Sequence, residues 1–332
     1  MQAQIIRRFG GPEVFEAADL PDPVAGPGQV LVRIAAASVN PIDTKQRRLG
    51  RAIAPELPAV LGCDFAGIVA AVGPGVAGFA AGEQVYGCAG GVRGMPGTYA
   101  GAIAADARLI AHAPANLTLR EAAALPLVTL TAWEGLDRAG VLPGDRVLVR
   151  GGTGGVGHVV VQLARGRGAL VTATASSPEK AALARDLGAD QVVDHRRPDI
   201  AEALLQASGG DGFDVVFDAT GGADLEAAFV AAAPGGRIVA IVSTFGADLS
   251  QMHFKGLSLH VVFMVLPMLT GRGREAQGRI LSRAAALAEA GRLRPLLDAQ
   301  ALGLADVAQA HARLEAGGVT GKLVLDIAAL EE

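Results

Sequence analysis

The sequence predicts an α/β fold in which a doubly wound parallel sheet is inserted between two parts of a second, β-rich domain. Three observations carry this expectation. Between about residues 126 and 265, short β-branched runs alternate with helical patterns, the signature of βαβ units. Before that stretch, QVLVRIAAASV (29–39), FAGIVAAVG (65–73) and EQVYGCAG (83–90) are short strand-like runs punctuated by Gly and Pro, which suits a small barrel-like antiparallel domain. The chain of 332 residues, 51% of them hydrophobic, is also long enough to bury more than one core. The expected divisions are 1–125 and 267–332 for the two parts of the β-rich domain, and 126–266 for the nucleotide domain.

The inserted domain opens with RVLVR (146–150), a glycine-rich turn and the helix VGHVVVQLARG (156–166). ALVTATA (169–175) then leads into the helix SSPEKAALARDLG (176–188). There Ser177 can cap, Pro178 suits the first turn and Gly188 can end it. QVVD (191–194), DIAEALLQAS (199–208), DVVFDAT (214–220), ADLEAAFVAA (223–232) and GRIVAIVS (236–243) continue the alternation. The tail returns to different material: a helix over 274–291, a strand near 296–302, a helix over 304–318 and a last strand KLVLDI (322–327).

Composition excludes several classes of partner. Charged residues are 19% of the chain and the net charge is −4, so no general attraction to nucleic acid or an anionic membrane is expected. No run of eighteen apolar residues occurs, which argues against a membrane span. The N-terminal stretch reaches an acid at Glu13 without a long apolar core, unlike a signal peptide. Cys63 and Cys88 are the only two cysteines; their count excludes a disulfide framework and a structural zinc knuckle. A cytoplasmic protein is expected.

GGTGGVG (151–157) follows the strand RVLVR and fits GxGxxG at Gly152, Gly154 and Gly157, with Thr153, Gly155 and Val156 between them. Glycines there let the backbone turn tightly and approach a pyrophosphate at a helix N-terminus. An NAD site places an acid about 20 residues on, to hold the ribose hydroxyls. This chain has Ala175, Ser176 and Ser177 at that point, no carboxylate before Glu179, and Lys180 one turn into the helix. Small hydroxyls and a cation favour NADP(H), although a solvated helix residue is the ordinary fate of a lysine.

Six ordered segments, AASVNPIDTKQR (36–47), LGCDFAGIVAAVGPGV (61–76), LPLVTLTAWEGL (125–136), GGTGGVG (151–157), FDATGG (217–222) and TGKLVL (320–325), resemble the medium-chain dehydrogenase/reductase superfamily. The likeness is to its zinc-independent, quinone oxidoreductase-like (zeta-crystallin-like) branch. The resemblance implies a GroES-like catalytic domain, a Rossmann domain and a nicotinamide cofactor in the cleft between them. Zinc-containing relatives carry a cysteine where this chain has Asn40, a histidine where it has Cys63, and a further ligand near Leu125. Asparagine and leucine are poor zinc ligands, so no metal is expected. Cys63 is then expected to pack, and Asp64 to make a local hydrogen bond or ion pair.

Without a metal, the cofactor must carry the chemistry. The resemblance implies hydride transfer from NADPH to a small hydrophobic acceptor, a quinone or an α,β-unsaturated ketone or aldehyde. It places Asn40 against the nicotinamide ribose, Thr129 in the nicotinamide pocket, and Lys45 where a cation stabilises an enolate. Each has a plainer alternative: a turn-forming Asn before Pro41, a helix hydroxyl bonded back to the preceding turn, and a surface lysine. Asp43 can orient Lys45 or the ribose, or cap a turn. His195 stands where relatives place a tyrosine near the adenosine phosphate. Thr320 and Lys322 match a segment that reaches the cofactor, unless Lys322 only keeps an edge strand soluble. Thr220 and Ser243 complete the expected cofactor set. The segment 253–274 is expected to supply a last sheet strand that pairs across a homodimer. No tyrosine accompanies the Asn-Pro segment as a proton donor. Two further readings remain at this point: a non-catalytic NADPH-binding protein, and an alcohol dehydrogenase with residual zinc.

Overall fold

The computed structural model of the chain describes residues 1–50, 52–221, 225–242 and 246–328. They pack as two compact units, one of Met1–Leu127, Val265–Gly291 and Leu297–Glu332, the other of Val128–Met264 and Arg292–Leu296. Among the described residues no helix is long and apolar enough to cross a membrane.

The first unit is organised around the long strand Gln29–Val39. Its first half pairs with Ala102–Asp106 and its second half with Leu323–Asp326, while Asp64–Val72 runs antiparallel along nearly all of it. Gln84–Cys88 and Ile110–His112 extend the sheet beyond Asp64–Val72. One strand thus serves two edges, and the sheet bends around a core that includes Ile6, Val39, Leu61, Tyr99 and Leu325. Gly67 marks a close approach: a Cβ there would lie 2.0 Å from the Arg33 carbonyl oxygen. Residues 296–302, expected as a strand, contribute only Leu302–Gly303 and a single bridge from Leu297 to Lys322.

The second unit is a six-stranded parallel sheet of Arg146–Arg150, Leu170–Ala175, Gln191–Asp194, Phe213–Asp218, Ala232–Ala240 and Ser258–Val261. By chain position its order is 3-2-1-4-5-6, that of a doubly wound nucleotide fold. Val147, Leu148 and Val149 are all fully buried, because a central parallel strand is covered on both faces. Ser177 caps the helix Pro178–Asp186, its Oγ accepting from the Lys180 amide at 3.2 Å. Ser258–Val261 ends the sheet, pairing with Ala232–Ala240.

Candidate active site

The glycine loop folds back on itself. Gly154 N–H donates to the Gly151 carbonyl at 2.9 Å, and Gly151 N–H reaches Thr174 Oγ1 at 2.9 Å. A Cβ at Gly157 would stand 2.0 Å from the Gly151 oxygen, and one at Gly152 would stand 2.6 Å from the Ala173 methyl. The strand, loop and first turn of the helix Gly157–Gly166 therefore close only with glycine at these points. What they leave is a glycine-rich turn at a helix N-terminus, where backbone can approach a pyrophosphate closely. Thr153 is buried there, while Gly154, Gly155 and Val156 are half-buried. Thr220 borders the loop: a Cβ on Gly151 would lie 3.0 Å from its methyl. Ser243 lies outside the described residues.

Beside this turn, Ala175 and Asp194 end neighbouring parallel strands in register, and His195 N–H donates to the Ala175 carbonyl at 3.1 Å. His195 therefore sits next to Ser176 and the helix turn carrying Lys180. The nearest strand-end acid, Asp194, is gripped by Arg196 at 2.9 and 3.1 Å. Those bonds pull its carboxyl down to about 2.

In the first unit, strand register gathers a second group. Leu323 pairs with Val39, which sets Lys322 opposite Asn40; Ser38 pairs with Asp64, and Asp64 with Cys88. Asn40, Asp64 and Lys322 are all buried. Lys322 Nζ donates to Asn40 Oδ1 and, at 3.2 Å, to the Val39 carbonyl, with Asp64 Oδ2 3.8 Å away. Asn40 Nδ2 donates to Asp64 Oδ2 at 2.9 Å, and Ser38 Oγ and Leu127 N–H donate to the same carboxylate at 2.8 and 2.9 Å. Charge thus fixes the Asn40 amide, since a flip would turn its NH2 toward an ammonium and its oxygen toward a carboxylate. Burial raises the Asp64 pKa and lowers that of Lys322, while their attraction opposes both shifts. Lys322 is no solvent-facing edge cation.

Asn40 also begins the helix Pro41–Leu49, where Asp43 Oδ2 accepts the Asn40 N–H at 2.8 Å. Asp43 is more than a turn cap. It accepts Cys63 Sγ–H at 3.3 Å and Tyr99 O–H at 3.1 Å, and the Tyr99 oxygen lies 3.1 Å from His311 Nε2. Burial lifts Asp43 to about 6 and drops His311 to about 3. Cys63 stays a thiol because a hydrogen bond with Cys88, then burial, raises its pKa. Spacing alone gave no sign that the two cysteines meet. Nor did it mark Ser38, Tyr99 or His311, although His311 falls on the apolar stripe of Val307, Ala310 and Leu314, where a buried histidine could have been suspected.

Lys45 is half-buried on the helix Pro41–Leu49, and Thr320 is half-buried before the last strand. Thr129, on the helix Pro126–Arg138, is fully buried, and its hydroxyl has no hydrogen-bond partner among the described residues. It is therefore not bonded back to the preceding turn. A buried hydroxyl left open in this way suits the polar edge of a bound ligand.

An antiparallel barrel-like unit, joined in one chain to a parallel-sheet unit with this glycine loop, defines a two-domain dinucleotide-dependent oxidoreductase. Residues 26–115 match the alcohol dehydrogenase GroES-like domain family, and residues 187–325 match the zinc-binding dehydrogenase family. The 2-methylene-furan-3-one reductase of Solanum lycopersicum is 36% identical over 90% of this chain and 71% of its own length. The chloroplastic NADPH-dependent alkenal/one oxidoreductase of Arabidopsis thaliana is 33% identical over 98% of this chain and 79% of its own. Among solved structures, the Escherichia coli quinone oxidoreductase complexed with NADPH superposes with a TM-score of 0.87 at 27% identity, covering 98% of this chain and 100% of that one. The chain belongs to the medium-chain dehydrogenase/reductase superfamily, in its quinone oxidoreductase-like branch.

Proposed function

We propose that the chain is an NADPH-dependent reductase that works without a metal on a quinone or an α,β-unsaturated carbonyl. The observation that carries this reading is the strand end beside the glycine loop. Ser176 and Lys180 follow it in the chain and His195 is bonded to it through the Ala175 carbonyl, while Asp194, the acid that ends the neighbouring strand, is tied to Arg196. When bound, NADPH supplies the hydride. The glycine loop receives its pyrophosphate, and Ser176 and Lys180 its 2′-phosphate, with His195 and Thr220 at the border. Asn40 and Thr129 hold the nicotinamide side, Lys45 steadies the oxyanion of the reduced acceptor, and Lys322 keeps the Asn40 amide oriented. Ser243 and Thr320 complete the cofactor set.

A zinc ion, which one matching family's description implies, does not suit these residues. The Asn40 amide is engaged by Lys322 and Asp64, and Leu125 is a buried hydrocarbon, so two of the three positions offer no free ligand. Catalytic zinc needs three good protein ligands. The Lys322 ammonium already places a positive charge beside Asp64.

Lys180→Ala tests the cofactor reading. It should weaken NADPH by about 1–3 kcal/mol, the value of a charge-assisted contact, and leave NADH nearly unchanged. Equal losses for both cofactors in parallel titrations would remove Lys180 from the phosphate site.

The exposed edge of Ser258–Val261, followed by the exposed Phe263, supports pairing across a homodimer, since a bare apolar edge invites association. Sedimentation should give a dimer that Val261→Lys shifts toward monomer; a monomeric native chain would end this reading. The two free, buried cysteines are in keeping with a reducing, cytoplasmic setting.

A further inference from the structure

His158, the first residue after the glycine motif, is fully buried and bonded at both ring nitrogens. Leu296 N–H donates to Nε2 at 3.2 Å, and Nδ1 lies 3.0 Å from the Gly154 carbonyl oxygen. A backbone amide can only donate, so Nε2 is the bare nitrogen and the ring proton sits on Nδ1, pointing at Gly154. One turn on, Gln162 donates to the Arg294 carbonyl at 3.0 Å and accepts the Arg294 N–H at 2.9 Å. Residues 292–296 are thereby stitched to the helix Gly157–Gly166. Among the described residues after Met264, only this stretch packs in the second unit, and its neighbours Gly291 and Leu297 on either side belong to the first.

We propose that His158 is a positioning residue of the cofactor site: its ring holds the Gly154 carbonyl, fixing the loop that receives the dinucleotide, and links that loop to residues 292–296. The inference rests on the glycine loop being the NADPH site. A plain filler residue would need neither nitrogen placed. This ring uses each for a different segment, so a change in the loop is felt directly at Leu296.

Two variants divide the ring's bonds. His158→Asn keeps a donor where Nδ1 stands and loses the acceptor for Leu296. His158→Gln carries its amide to the Nε2 end and loses the donor to Gly154. NADPH affinity is measured by fluorescence titration, and backbone amide exchange is followed at 151–157 and 292–296 with and without NADPH. In the unaltered chain NADPH should slow exchange in both segments. His158→Gln should bind NADPH roughly tenfold more weakly, the effect of one hydrogen bond. His158→Asn should bind within about threefold of the unaltered chain yet lose the NADPH-dependent protection at Leu296. Equal affinities and equal protection in all three proteins would overturn the proposal, as would equal weakening by both variants. Should neither variant fold, the unaltered chain decides: NADPH binding with no added protection at 292–296 is a refutation. An unaltered chain that does not bind NADPH would refute the loop's assignment itself.

Discussion

Lys322→Met is expected to lower folding stability by about 3–5 kcal/mol, the range for removing one partner of a buried ion pair. The ammonium bonds Asn40 Oδ1 and the Val39 carbonyl and lies beside Asp64. Without it Asp64 keeps its bonds from Ser38, Asn40 and Leu127 but holds an uncompensated buried charge. Removing that charge as well, in Asp64→Asn/Lys322→Met, should recover a large part of the loss. Denaturant unfolding of the two single variants and the double variant measures the coupling. A loss below about 1 kcal/mol for Lys322→Met, typical of exposed pairs, would mean that the pair is solvated.

His311→Phe is expected to make the protein more tolerant of acid. Burial, and then the Arg47 charge, depress His311 to about 3 from an ordinary value of 6.5. The folded state therefore resists a proton that the unfolded chain accepts. The stability His311 contributes is whole above pH 6.5 and is lost as pH falls from there toward 3, on the order of 5 kcal/mol in all. Asp43 acts with the opposite sign. Lifted to about 6 from 3.8, it favours the folded state below 3.8, and that advantage, on the order of 3 kcal/mol, fades as pH rises through 6. The two partly cancel in the native chain, which makes a difference measurement necessary. Between about pH 7 and 4.5, the stability of His311→Phe relative to the native chain should rise by roughly 3 kcal/mol. Parallel stability curves would show that His311 is already protonated, or solvated, when folded.

Much of the nucleotide unit was legible because its determinants are local. A cap at Ser177, a glycine loop between strand and helix, and a strand end lacking a free acid each lie within a few residues of one another. The antiparallel unit was legible as strands but not as a site. Lys322 and Asn40 stand at opposite ends of the chain and meet through the register of Leu323 on Val39, and no spacing rule encodes a register. For the same reason Lys322 could be assigned to an edge strand, and the meeting of Cys63 with Cys88 carries no sequence signal. The Asp43–Tyr99–His311 chain joins three segments and carries no motif. What the sequence did offer for this unit was subtraction: Asn40 and Leu125 are poor zinc ligands, and the structure sets the Lys322 ammonium against Asn40.

NADPH oxidation by the purified chain, followed by absorbance with a panel of quinones and α,β-unsaturated carbonyls, with and without a strong chelator, tests the metal-free reductase most directly, alongside elemental analysis for zinc. Turnover is expected on at least one acceptor class, at a rate unchanged by the chelator, with no stoichiometric zinc. One zinc per chain, lost together with activity on chelation, would contradict a metal-free reductase.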